Sequence, residues 1–105
     1  MNTDIRLTRY TLPRDGIADL TFEGTVLAIE NTNTKKPRYT ELRVYICKNK
    51  RYICQTLGRS NIPGEIDRSK VYVVDTLEEI PRVFGFSRVA KKIYRSLGLE
   101  TAEQI

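Results

Sequence analysis

Tyr39-Thr40-Glu41-Leu42-Arg43-Val44-Tyr45-Ile46-Cys47, then Lys48-Asn49-Lys50, then Arg51-Tyr52-Ile53-Cys54-Gln55-Thr56-Leu57 is the stretch whose reading decides the fold. Two runs rich in β-branched and aromatic residues flank a short polar break, and Asn49 is a residue type that tolerates the positive φ of a tight turn. The pattern predicts a β-hairpin. With the turn centred on Asn49-Lys50, Cys47 faces Tyr52, Ile46 faces Ile53 and Tyr45 faces Cys54. Alternation then sorts the side chains into Leu42, Val44, Ile46, Ile53 and Leu57 on one face, and Arg43, Tyr45, Cys47, Tyr52 and Cys54 on the other.

Outward from the hairpin, Asn31 to Pro37 is polar, carries a proline and reads as a loop. Before it, Leu20 to Glu30 reads as a strand whose apolar parity switches from Leu20/Phe22 to Leu27/Ile29, which implies a bulge near Gly24. Ile5 to Leu12 reads as a short edge strand closed by the turn Pro13-Arg14-Asp15-Gly16. On the other side, Asn61-Ile62-Pro63-Gly64 has the order of a type II turn. Lys70 to Asp75 comes next as a strand, its run Val71-Tyr72-Val73-Val74 implying a central position with both faces covered. Thr76-Leu77-Glu78-Glu79 matches a capping box, but Pro81 arrives before a long helix could propagate, so one short turn is expected there. A helix then starts after Ser87, buries Val89, Ala90, Ile93, Tyr94 and Leu97, and stops at Gly98. The expected architecture is a single α+β domain over residues 1–105, an antiparallel sheet of four to five strands packed against a C-terminal α-helix.

At 105 residues the chain suffices for one modest core. Hydrophobic residues at 40% and charged residues at 30% place it with folded globular proteins, away from the disordered regime. Charges interrupt every apolar run and Asp4 is followed by no apolar segment, so neither a membrane span nor a secretory signal is expected. Cys47 and Cys54 are too few for a disulfide scaffold, which implies a reducing, cytoplasmic setting. On the predicted hairpin they share a face, offset diagonally at the limit of a relaxed disulfide. They read as two small half-buried thiols, with a redox switch as the alternative.

Histidine is absent, which removes the commonest general base and metal ligand and with them Ser-His-Asp and Cys-His hydrolase triads. Glu65, Asp67, Asp75, Glu78 and Glu79 are scattered near turns with nothing to order them as a metal or acid/base site. The six glycines are single and dispersed, so no phosphate-binding loop and no nucleotide cofactor is expected. The expectation is a non-enzymatic protein without cofactor or metal.

A formal charge of +5 favours polyanionic partners and also serves solubility. Arg88, Lys91, Lys92 and Arg95 recur at helical spacing and line one side of the last helix, opposite Val89, Ile93 and Leu97. Lys48, Lys50 and Arg51 at the hairpin turn, and Lys35, Lys36 and Arg38 in the loop before it, extend this ridge if folding brings them to the same side. An ordinary solvated helix face would look the same. A second lead is Arg43, Tyr45 and Tyr52, which on one hairpin face would suit base stacking or a protein partner, or would simply pack under another element.

From Phe22-Glu23-Gly24, through Tyr39 to Tyr45 and Arg51-Tyr52, to Val74-Asp75-Thr76-Leu77-Glu78-Glu79, the order of motifs resembles the EXLDI family of small bacterial proteins over about four fifths of the chain. Members of that family end in Glu-x-Leu-Asp-Ile, where this chain has Glu103-Gln104-Ile105. The resemblance implies bacterial origin and a compact α+β fold, and brings no activity to any residue. The functional expectation is therefore a small basic protein that contacts nucleic acid or a nucleoprotein complex. The alternative is a protein-interaction module, such as a mobile-element or phage-encoded inhibitor or regulator, including self-association as a homodimer.

Overall fold

The computed structural model describes residues 7–102. Five strands succeed one another, β1 (Thr8–Arg14), β2 (Ile17–Asn31), β3 (Arg38–Cys47), β4 (Tyr52–Ser60) and β5 (Arg68–Val74). Each pairs antiparallel with the next, giving a meander of order β1-β2-β3-β4-β5. A 3-10 turn (Leu77–Glu79) and two helices, α1 (Ile80–Phe84) and α2 (Arg88–Leu97), complete the α+β fold. Ile5, assigned to the first strand by sequence, lies outside the described residues, as do Glu103, Gln104 and Ile105.

The hairpin β3–β4 forms as expected, but its register is displaced by one residue. The Cys47 carbonyl accepts from Lys50 N–H at 2.8 Å, Cys47 N–H donates to the Arg51 carbonyl at 2.9 Å, and Lys50, not Asn49, takes the positive φ of 67°. The loop therefore has three residues, Lys48 to Lys50, instead of a two-residue turn. Because side chains alternate with a period of two, that extra residue changes every cross-strand partner. Ile46 now faces Tyr52, Tyr45 faces Ile53 and Val44 faces Cys54. Tyr45 and Tyr52 fall on opposite faces of the sheet, and so do Cys47 and Cys54, which are free thiols. Burial pushes the Cys54 thiol up to about 12.

β2 is long enough to pair with β1 through its first half and with β3 through its second. The handover is at Gly24, which lies opposite both Thr8 and Cys47. A Cβ there would stand 2.3 Å from the Ile46 carbonyl oxygen, so the position demands glycine for close approach, and the bulge expected near Gly24 forms just beyond it. The register shift lies between Val26 and Ala28, leaving Leu27 as the additional residue. It turns Ala28 into the core, while Leu27 and Ile29 remain exposed.

The sheet curls until β1 leans on β5, where Asp15 N–H donates to the Ser69 carbonyl at 2.9 Å. Curling creates two cores. The concave one holds Leu12, Tyr45, Ile53 and Val71, with Tyr10 tilted against Tyr45 and Phe22 edge-on to it at centroid distances of 4.9 and 5.3 Å. The other lies between the outer face and the helices: Ala28, Leu42, Val44 and Cys54 from the sheet meet Ile80, Val89, Ala90, Ile93 and Tyr94. β5 thus closes one end of the strand order instead of occupying its centre. Val71 and Val73 face the concave core, Val74 the helical side, and Tyr72 is half exposed. The connection before β5 is the expected type II turn, with Glu65 N–H donating to the Ile62 carbonyl at 3.1 Å and Gly64 at φ 86°.

Pro81 does not end the helical segment. It sits in the first turn of α1, where its missing N–H has no intrahelical acceptor to lose, and α1 runs on to Phe84. The capping box at Thr76 is incomplete, since Thr76 makes no side-chain cap bond, although the Glu79 carboxylate accepts from Asp75 N–H at 2.9 Å. No helix among the described residues is long and apolar enough to cross a membrane.

Candidate functional site

Local sequence signals fix α2. The Ser87 hydroxyl accepts from Ala90 N–H at 3.2 Å, closing the N-terminus. At the other end Gly98 is left-handed, and Gly98 and Leu99 N–H groups donate to the Arg95 and Tyr94 carbonyls at 3.1 and 2.9 Å, the paired bonds of a Schellman motif. Between these caps Val89, Ala90, Ile93 and Tyr94 are buried against the sheet. Helical periodicity then forces Arg88, Lys91, Lys92 and Arg95 outward, and all four are exposed. None of them makes an ion pair among the described residues, and α2 itself contains no acid.

The other predicted cations are arranged differently. At the hairpin tip Lys48 approaches Glu23 at 3.7 Å and Arg51 bonds Asp75 at 2.9 Å, which leaves Lys50 as the exposed charge without an ion pair among the described residues. Arg38 places its guanidinium fork on Glu65 at 3.0 and 2.5 Å. Lys35 and Lys36 are exposed, but their loop joins the end of β3 opposite the hairpin tip, about 30 Å away at ~3.3 Å per residue. The two cation clusters therefore do not merge.

The aromatic lead does not survive the register shift as a surface. Tyr45 has 0% exposure and donates its hydroxyl to Gln55 Oε1 at 3.0 Å inside the concave core. Tyr52 packs beneath the helices on the other face. Arg43 stays on the concave side, its Nε on Glu41 Oε2 at 2.5 Å. Arg43 and Tyr45 thus share the concave face, and Tyr52 lies on the opposite one.

A cleft of about 910 Å³ opens at the end of the sheet where β3, β4 and β5 meet the loop before β5. Arg38, Arg59, Glu65 and Asp67 in its lining are already matched internally, while Arg68 makes no ion pair among the described residues. Arg59 bridges Glu41 at 3.3 Å and Asp67 at 3.0 Å, Arg38 holds Glu65, and the Ser60 hydroxyl donates to Glu65 at 2.6 Å. Bonds from Arg38 and Ser60 draw the Glu65 carboxyl down to about 2. The Ser60 backbone N–H and Arg59 likewise lower Asp67. Arg59 Nε is buried without a hydrogen-bond partner among the described residues. No group of three or more His, Cys, Asp or Glu poised to hold a metal occurs among the described residues.

A residue that sequence reading passed over stands beside α2. Phe86 precedes the cap residue, is 58% exposed, and sets its ring edge-on to Tyr94 at 6.2 Å. With Lys91, Tyr94 and Arg95 it lines a groove of about 530 Å³. The available signal was an aromatic immediately before an N-cap with lysine, not an apolar residue, at the position that would cover it.

A scan against protein-family models, a search of curated proteins and a search of solved structures each return no match. The resemblance to the EXLDI family rests on the quoted residues alone.

Proposed function

We propose that this protein is a non-enzymatic binding protein that contacts nucleic acid, or a nucleoprotein complex, through α2. One observation carries the reading: Arg88, Lys91, Lys92 and Arg95 form an exposed row with no ion pair among the described residues. Other exposed cations without an ion pair among the described residues, such as Arg9, Arg68 and Arg82, are spread over separate elements, whereas the four on α2 stand together on one helix face. Arg38, Arg43, Arg51 and Arg59 are held by carboxylates, and a cation already paired releases few counterions on meeting a phosphate. Lys50 is a secondary contact, and Lys48 and Arg51 contribute less because they are engaged.

The test is the salt dependence of binding to labelled nucleic acid. Replacing all four α2 cations by glutamine lowers the slope of log affinity against log salt by about 3 units, at ~0.7 to 0.9 per phosphate contact. Lys48→Ala combined with Arg51→Ala changes the slope far less. An unchanged slope in the fourfold variant overturns the reading.

A further inference from the structure

We infer that the groove beside α2 receives single-stranded nucleic acid, an unpaired base stacking on Phe86 while Lys91 and Arg95 hold the flanking phosphates. This rests on the role proposed for α2 and narrows it to a class of ligand.

Phe86 occupies the position before an N-cap, where an apolar side chain ordinarily folds onto the fourth helical residue. Here that residue is Lys91, so the ring has no apolar cover and stays open to solvent. It is nonetheless fixed in place. Gly85, at φ 72°, turns the chain out of α1, and its carbonyl accepts the hydroxyl of Tyr94. Ser87 anchors the next residue to α2. Tyr94, 1% exposed, is thus a positioning residue that ties the elbow to the helix and braces the Phe86 ring by an edge contact. Burial, as its main cause, pushes its phenol up to about 12, so the hydroxyl remains a donor throughout the physiological range.

An ordered, uncovered ring beside two cations without an ion pair among the described residues is the combination that binds single strands: aromatic faces take bases of any sequence and cations take the backbone. Duplex bases are stacked within their own helix and do not reach such a ring. Glu100 also lines the groove, but its carboxylate accepts from Ala102 N–H at 3.0 Å and is turned to the backbone. The occupant is therefore distinguished from a generic polyanion by a need for unpaired bases.

The experiment measures fluorescence anisotropy of labelled single-stranded DNA, single-stranded RNA and duplex DNA of equal length against the full chain. Phe86→Ala weakens single-strand binding by roughly 5- to 150-fold, the loss of one base stack at ~1–3 kcal/mol, and leaves duplex binding unchanged. Phe86→Tyr retains affinity, whereas Phe86→Leu, which keeps apolar bulk without a π face, loses it as alanine does. Preference for either sugar supports the groove and identifies its source. Full affinity in Phe86→Leu, or equal losses on single and double strands, overturns the inference. Binding that responds to the fourfold cation variant but not to Phe86 removes this inference and leaves the role of α2 intact; no binding by the unmodified protein removes both.

Discussion

Tyr45 shows how much a single buried hydroxyl does here. It donates to Gln55 Oε1 at 3.0 Å, Gln55 Nε2 donates to Ser69 Oγ at 3.1 Å, and Ser69 Oγ donates to the Pro13 carbonyl at 2.6 Å. That chain crosses β3, β4 and β5 and ends on β1, so it helps to close the curl. Tyr45→Phe leaves the Gln55 oxygen buried without its donor and lowers stability by about 1–3 kcal/mol. Urea denaturation checks this as a reduced midpoint with an unchanged slope. The residues legible from sequence were those whose role is local, such as Ser87 and Gly98. Tyr45 was partly legible: packing under another element was one of the readings open to it, but what covers its face depends on how the distant strands β1 and β5 curl together. Phe86 went unread for a related reason: its exposure arises from Lys91 failing to cover it.

Among the elements, α2 was readable nearly to its ends, since a 3.6-residue period, a hydroxyl cap and a terminal glycine are all written within the segment itself. The hairpin was readable as a hairpin but not in its pairing. Composition does not say whether Lys48-Asn49-Lys50 closes as two residues or three, and the answer turned on Lys50 adopting a left-handed backbone. β2 was readable as bulged, but not in detail: the additional residue is Leu27, and Gly24 beside it is the crossing point of two neighbours. Gly24→Ala drives a methyl group to 2.3 Å from the Ile46 carbonyl, with a cost at the top of the ~1–3 kcal/mol range for overpacking or beyond it. Gly58→Ala, whose Cβ would meet Arg68 Cβ at 3.5 Å, is the control with a much smaller effect. Thermal unfolding of the two variants side by side distinguishes them.

Over the whole molecule, the net charge of +5 was legible and its distribution was not, because partners such as Arg38 and Glu65 or Arg51 and Asp75 are distant in sequence. Most charges at the cleft end are matched internally, while the α2 cations have no ion pair among the described residues. That division predicts the acid response. The Glu65 carboxyl falls to about 2 on folding, below its usual 4.5, so the stability it contributes is present above pH ~4.5 and is lost as pH drops toward 2. Melting temperature measured across that window declines in the native chain, and Glu65→Gln flattens part of the decline. A separate property comes from the two thiols standing on opposite sides of the sheet, one sealed and the other half-buried by the hairpin tip. The chain cannot close an internal crosslink on ageing, so air oxidation joins copies through Cys47. A maleimide dye added under native conditions likewise attaches at that one position, a ready-made reporter site away from the α2 cations.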